Sequence, residues 1–232
     1  FEAVFKKKSS SGGSSSGSGS TRPSAPASTE TTPSLNGRSM SWEEVADMIR
    51  MAASDEKLVI SLNGETSVPA DVIKAVSERK VKVEFVVDSA KSWIIDGAET
   101  SSITGADLTI LPGNADKPVL RGVNGFDLKI SGTNVPACMK LSFRKDYAGQ
   151  FANVYKLTDG TPEFLASVKI GEDGCAVISG MDKNGEYIVM ACGFSDLSGD
   201  VNNDGKLNAL DAAALLRSIV GMEAGENPLM AD

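Results

Sequence analysis

A stretch of twelve residues, Asp200 to Asp211, carries oxygen-bearing side chains at intervals that suit one bound cation better than a regular helix or strand. Counted from the first residue of the stretch, these side chains stand at positions 1, 3, 5, 9 and 12, namely Asp200, Asn202, Asp204, Asn208 and Asp211. Gly205 at position 6 allows a sharp turn, and Lys206 at position 7 offers its backbone carbonyl. Because Ca²⁺ takes roughly six to eight oxygen ligands, the spacing predicts a Ca²⁺-binding loop; Mg²⁺ prefers a smaller octahedral shell.

The loop has a simpler interpretation, and two features separate it from a complete EF-hand. Asp-Gly pairs mark turns in proteins without any metal, so an Asx-rich turn is the alternative. Position 12 is Asp211, whereas an EF-hand places a bidentate Glu there. Residues 192–199 before the loop read CGFSDLSG, and their glycines and serines break any helix pattern. We therefore expect a helix on the C-terminal side of the loop only.

A calcium loop followed, but not preceded, by a helix resembles a type I-like dockerin repeat, the F-hand half of an EF-hand, over residues 199–221. The resemblance implies Ca²⁺ as the cofactor and a cohesin domain of a scaffold protein as the partner. It also implies a secreted or bacterial cell-surface protein in a cellulosome, working in polysaccharide degradation. Dockerins normally carry two repeats, and the sequence ends at Asp232, so we expect only the first repeat here. A natural single-repeat protein is the alternative.

The helix after the loop provides the candidate partner-binding residues. Four residues fall where dockerin repeats present their cohesin-contacting side chains: Ala209, Leu210, Leu216 and Arg217. Many dockerins have a Ser/Thr pair at loop positions 10 and 11, so this surface is expected to be more apolar. Leu215 and Ile219 lie four residues apart and are expected to pack inward. Alternatively, Leu210 and Leu216 pack against a second repeat or a neighbouring module.

Residues 9–37 are rich in Ser, Gly, Pro and Thr and predict a linker without secondary structure. The sequence starts with FEAVF, which alternates like the tail of a strand, so residues 1–8 are interpreted as the end of a preceding module. Residues 38–194 then predict an accessory module, and residues 195–232 the dockerin. In pattern and position, this accessory module resembles the extra modules that precede dockerins in cellulolytic bacteria.

The accessory module is predicted to be α+β. Ser41 and Glu44 have capping-box spacing before a helix, KLVISL (57–62) predicts a strand, and Pro69 suits the start of a second helix. After residue 105 the helix pattern ends, and short strand-like runs alternate with Gly, Asn, Asp and Pro. The fold class is therefore a small α/β region plus an antiparallel β-sandwich-like region, followed by the loop–helix repeat. One shared core is preferred to two domains.

Two finer expectations concern cysteines and aromatic residues. GCAVISG and EYIVMAC are interpreted as the two strands of a hairpin, which makes Cys175 and Cys192 neighbours on one face; a disulfide is left open. Tyr147, Phe151 and Tyr155, at four-residue spacing, are interpreted as core rather than as a sugar-stacking strip.

Composition narrows the possible functions. The chain has a formal net charge of −8, which argues against a nucleic-acid partner. No apolar run approaches the ~20 residues of a membrane span, so no membrane insertion is expected. The sequence has no histidine, no CxxC pair and no GxSxG motif, so we expect no enzyme activity in these residues. Two alternatives remain: a calcium-stabilised surface or adhesion protein, or the non-catalytic part of a glycoside hydrolase with its catalytic domain upstream.

Overall fold

The computed structural model describes residues 32–53, 56–101, 104–113 and 124–220. The predicted end of a preceding module at residues 1–8 and the linker up to residue 31 lie outside these ranges. Within them, fourteen strands, two α-helices and one short 3-10 helix (Lys145–Tyr147) precede the predicted calcium loop, and a third α-helix follows it. We call the part from Ser34 to Cys192 the module.

The two helices of the module begin at the signals that the sequence contains. Helix α1 (Trp42–Met51) starts with a capping box, in which the Glu44 backbone N–H donates to Ser41 Oγ at 3.3 Å and the Ser41 N–H donates to Glu44 Oε2 at 2.7 Å. Helix α2 (Ala70–Arg79) follows Pro69, which has extended backbone angles. Both helices bury one apolar stripe and leave the opposite face to solvent.

The larger sheet has seven strands, and both predicted regions contribute to it. Its strands are β1 (Ser34–Leu35), β2 (Arg38–Ser39), β3 (Lys57–Ser61), β5 (Lys82–Val86), β6 (Lys91–Asp96), β10 (Cys138–Ser142) and β13 (Cys175–Ile178). Their order across the sheet is β13-β10-β6-β5-β3-β1-β2. Strands β3 and β5 are parallel, and the other pairs are antiparallel. Helix α2 lies between β3 and β5 along the chain and so connects the parallel pair, as in a β-α-β unit.

The second sheet has five antiparallel strands. They are β8 (Ile110–Pro112), β9 (Gly125–Ile130), β11 (Phe151–Thr158), β12 (Thr161–Lys169) and β14 (Gly185–Cys192), in the order β12-β11-β14-β9-β8. Two short strands, β4 (Ser67–Val68) and β7 (Ala106–Asp107), pair separately.

Both sheets and both helices contribute to one hydrophobic core. Its buried residues include Ile73 of α2, Phe85 and Trp93 of the larger sheet, and Val154 and Tyr187 of the smaller sheet. The Trp93 indole N–H is satisfied by the Leu108 carbonyl at 3.2 Å. The α+β fold class predicted from sequence is confirmed, and the single core agrees with the shared-core expectation for residues 38–194.

The predicted linker extends too far toward the C-terminus. Residues 34–35, which we expected to lack secondary structure, form β1 and pair with β3, so that Leu35 lies opposite Ile60. Leu35 is buried in the core, and Asn36 and Gly37 turn the chain into β2 with positive φ angles of 51° and 79°. The Asn-Gly turn, the buried Leu35 and the hydrogen bond from Asn63 Nδ2 to Ser34 Oγ at 3.1 Å place this hairpin on the sheet.

The predicted hairpin that joins Cys175 and Cys192 is wrong. Strand β13 pairs with β10 in the larger sheet, where Cys175 lies opposite Ser142. Strand β14 belongs to the smaller sheet, where Cys192 lies opposite Phe151. Met181, between the two strands, is fully buried in the core, so the connecting segment crosses from one sheet to the other. All three cysteines are free thiols.

Candidate metal centre

The backbone of residues 193–208 forms a loop with no helix, and helix α3 (Ala209–Ile219) begins immediately after it. This arrangement confirms the expected helix on the C-terminal side only. Gly205 has a φ of 80°, a region in which glycine has no Cβ penalty, as position 6 of the predicted loop requires. Asn203 also has a left-handed φ of 55°. Asparagine tolerates this conformation better than most residues do.

The first three predicted ligands are close together. Asp200 receives the Asp204 backbone N–H on Oδ1 at 3.0 Å and the Gly205 N–H on Oδ2 at 2.9 Å. The Asn202 side-chain amide donates to Asp204 Oδ2 at 3.1 Å. The carboxylate at position 1 therefore fixes the turn that places positions 3 and 5 beside each other.

The last two predicted ligands also form the start of α3. Asn208 is the N-cap residue, and its Oδ1 accepts the Leu210 N–H at 2.8 Å. Asp211 Oδ2 accepts the Asn208 N–H at 2.7 Å, which completes a capping box. This capping role was not predicted from the sequence, although the Asn-x-x-Asp spacing is a variant of the capping-box signal.

Asp211 also closes the loop onto its beginning. Its Oδ1 accepts the Val201 N–H at 3.0 Å and the Asn202 N–H at 3.4 Å. The residue is only 4% exposed. Hydrogen bonds from the backbone N–H groups of Asn208, Asn202 and Val201 hold the pKa of the Asp211 carboxyl below its usual value. Asp211 is therefore a charged group that links both ends of the loop.

The chemistry of the donor set fits a hard cation. The predicted ligands supply three carboxylates, two amide oxygens and the Lys206 carbonyl, with no nitrogen or sulfur donor. In the part of the chain that the structure describes, no group of three or more Asp, Glu, His or Cys side chains lies close enough to hold a metal. Each of the three carboxylates accepts at least one backbone N–H group. The ligand assignment therefore stays a prediction.

Helix α3 exposes most of its apolar side chains. Of the proposed partner-binding residues, Leu210 and Leu216 are each 62% exposed, and Ala209 and Arg217 are also exposed. The expected inward packing of Leu215 and Ile219 is wrong, because they are 48% and 71% exposed. Among the residues of α3, all of which the structure describes, only Asp211 is buried.

An open groove of about 660 Å³ runs between the loop and α3. Val201, Leu210 and Ala213 give it apolar walls, and Asn202 and Arg217 add polar groups. One predicted ligand, Asn202, and two predicted partner-binding residues, Leu210 and Arg217, thus line the same groove.

The expected aromatic set does not form a sugar-stacking strip. Phe151 is buried, and Tyr147 packs against the core. The Tyr155 hydroxyl donates to the Asp196 carboxylate. The interpretation as core holds for Tyr147, but not for Phe151, which is buried outside the main core, or for Tyr155, which is half-buried.

Residues 198–232 match the family model of the dockerin type I domain. The match includes all the predicted ligands and confirms the dockerin expectation for this segment. The accessory module before it and the single, shortened repeat stay predictions. Comparison of the chain with curated proteins and with solved structures finds no match. No helix among the described residues is long and apolar enough to cross a membrane.

Proposed function

We propose that the C-terminal segment is a calcium-dependent docking element that attaches a secreted or cell-surface bacterial protein to a cohesin domain on a scaffold. The observation that carries this proposal is the match of residues 198–232 to the dockerin type I domain. Dockerin domains bind calcium and cohesins, and the predicted ligands have the oxygen chemistry for the first of these functions.

The exposed face of α3 supports a protein partner. Leu210, Leu216 and Ile219 are each more than half exposed on a helix of only eleven residues. Such concentrated apolar exposure on a soluble domain marks an interaction site. Arg217 lies among these side chains, and arginine beside apolar anchors is a frequent composition of binding hot spots.

Calcium would be held by Asp200, Asn202, Asp204, Asn208, Asp211 and the Lys206 carbonyl. A bound divalent cation neutralises the mutual repulsion of the three carboxylates. Because Asp211 is the third residue of α3, ordering of the loop also fixes the start of the helix that carries the partner-binding side chains.

We further propose that the module is a non-catalytic accessory unit in a polysaccharide-degrading assembly. This part of the proposal is supported by the position of the module directly before the dockerin segment. An alternative function is a surface protein in which calcium only stiffens the C-terminal segment; the exposed apolar face of α3 favours docking instead.

The test is a binding titration of the whole protein against a panel of immobilised bacterial cohesin domains, in calcium and in EDTA. We expect at least one cohesin to bind in calcium only. Leu216→Glu with Arg217→Glu should weaken binding at least tenfold, because a charge replaces an anchor and the arginine is reversed. Met51→Glu, which changes an exposed apolar residue on α1 (80% exposed, against 62% for Leu216), is the control. Calcium that raises stability without binding any cohesin would support the stiffening function instead.

A further inference from the structure

The segment between the module and the loop is bonded to one strand of the smaller sheet. The Asn153 side chain of β11, only 1% exposed, donates from Nδ2 to the Phe194 carbonyl at 3.0 Å. Its Oδ1 accepts the Asp196 N–H at 3.2 Å and the Ser167 hydroxyl at 2.6 Å. A buried amide is stable only when its polar atoms have such partners. Asn153 therefore fixes the course of the chain as it leaves the module.

The loop itself is bonded back to the same segment. Asn203 Oδ1 accepts the Ser195 N–H at 2.7 Å, and its Nδ2 donates to the Gly193 carbonyl at 3.3 Å. Asn203 makes these bonds from a left-handed backbone, with a φ of 55°. Position 4 of the loop thus has a defined role, although it supplies no predicted ligand.

A second loop position lies directly against the module. A Cβ added to Gly205 would come within 2.9 Å of Phe151 Cε1, so only glycine allows this approach. Phe151 is 2% exposed but does not belong to the main core. The loop covers this aromatic ring with a residue that has no side chain.

The contacting residues of β11 share one face of the strand. Phe151, Asn153 and Tyr155 alternate with Ala152 and Val154, which point into the main core. Ile188 lies opposite Tyr155 in the sheet. Like Phe151, Ile188 is buried but lies outside the main core. The far face of the smaller sheet therefore has a small buried patch of its own.

We infer that this face of β11 is an intramolecular docking site for the calcium loop, and that Asn153 and Asn203 are positioning residues. We call these two residues, with Phe151, Gly205 and residues 193–196, the junction. The junction uses loop positions 4 and 6, and the predicted ligands stand at other positions. The loop is thereby held in its turn before a cation arrives. The part of the inference that concerns the cation rests on the proposed function.

Two consequences follow from the position of the junction. Pre-ordering a loop removes part of the entropy cost of binding, so cation affinity should depend on module residues that touch no cation. By reciprocity, the cation should also stabilise the junction. Leu210, Leu216 and Arg217 take no part in the junction and remain exposed. The module then presents α3 in a fixed orientation rather than on a free tether.

Two variants of the whole protein test the inference. Asn203→Gly removes both side-chain bonds and keeps the left-handed backbone available; Asn134→Gly, at another left-handed asparagine with a φ of 61°, is its control. Asn153→Ala removes the bonds to residues 194 and 196. Its control is Ser167→Ala, which removes only the hydrogen bond from the Ser167 hydroxyl to Asn153. If Asn153→Ala fails to fold, Asn203→Gly remains a test, because it lies outside the module.

Calcium affinity is measured by titration calorimetry with calcium chloride, and amide hydrogen exchange of residues 193–205 is measured in EDTA. We expect Asn203→Gly and Asn153→Ala to weaken calcium binding on the order of tenfold and to speed exchange even in EDTA. Both controls should stay within about twofold, since they leave the junction bonds to the loop intact. Wild-type affinity together with unchanged exchange in Asn203→Gly would overturn the inference. If the wild-type protein binds no calcium, the proposed function and the pre-ordering role fail. The docking site is then tested by exchange in EDTA alone, and faster exchange in the two variants than in the wild type supports it.

Discussion

The module and the loop–helix segment are stabilised in different ways. The module buries its apolar side chains in one core shared by two sheets and two helices. Helix α3 buries only Asp211 and exposes its leucines, and its loop is held by carboxylate and amide hydrogen bonds to backbone N–H groups. Net stabilisation from such bonds is small compared with burial of a large apolar core.

The difference indicates which part of the chain depends on partners. We expect the module to fold without a ligand, because its own strands and helices form its core. The loop–helix segment has three carboxylates within twelve residues and an uncovered apolar face. On the proposed function, a cation would neutralise the carboxylates and a protein partner would cover the apolar face. Both would add order to a segment whose loop the junction already holds in its turn.

The largest expected contrast compares one core residue with one α3 residue. Phe85→Ala should lower the free energy of unfolding of the module by about 3–5 kcal/mol, because Phe85 is fully buried. Leu216→Ala should change it by less than about 0.5 kcal/mol, because this side chain is 62% exposed. Chemical denaturation followed by tryptophan fluorescence, to which buried Trp93 and partly buried Trp42 contribute, measures both. A large loss from Leu216→Ala would mean that α3 belongs to the core.

A smaller effect comes from a buried carboxylate in the module. Glu84 is 5% exposed and accepts hydrogen bonds from Ser92 Oγ at 2.8 Å, Lys57 Nζ at 2.7 Å and Lys140 Nζ at 3.0 Å. Burial raises the pKa of Glu84, but the bonds from Lys57, Lys140 and Ser92 outweigh burial and lower the pKa from 4.5 to about 2.

Because the folded pKa of Glu84 is below the unfolded value, its stabilising effect is present above pH 4.5 and is lost as the pH falls toward 2. Glu84→Gln should therefore destabilise the module by about 1.5–3 kcal/mol at pH 7 and progressively less on acidification. Glu78→Gln, at an exposed pair with Lys74, is the control and should have little effect. Thermal unfolding of both variants at several pH values measures the difference; a loss that does not depend on pH would count against the ionised Glu84.

The smallest expected effect compares the two capping boxes. Ser41→Ala removes the cap of α1 and Asn208→Ala that of α3, each at a cost of about 1 kcal/mol. The core holds α1 in place, so its amide exchange should change little, whereas α3 should fray through its first turn. Hydrogen exchange of both helices is measured in EDTA, so that the predicted role of Asn208 as a calcium ligand does not affect the comparison. Equal protection loss in the two helices would show that packing does not distinguish them.

Local signals in the sequence were sufficient to locate the helices and strands, but not to predict which strands pair or which side chains bond to distant segments. Alternation located most strands, the Ser41–Glu44 spacing located α1, and Gly205 at position 6 gave the left-handed turn. The pairing of β13 was missed, because it depends on Met181 entering a core formed by distant segments. Asn153 and Asn203 were missed for the same reason, since each makes bonds eight or more residues away.

Hydrogen exchange of the whole protein, measured residue by residue in calcium and in EDTA, tests the central claim most directly. The account predicts that calcium protects residues 199–219, slows exchange at the junction, and leaves the strands of the larger sheet unchanged. The gain should correspond to about 2.7 kcal/mol when calcium is present at about a hundred times its dissociation constant. Identical protection of residues 199–219 in calcium and in EDTA would contradict the account.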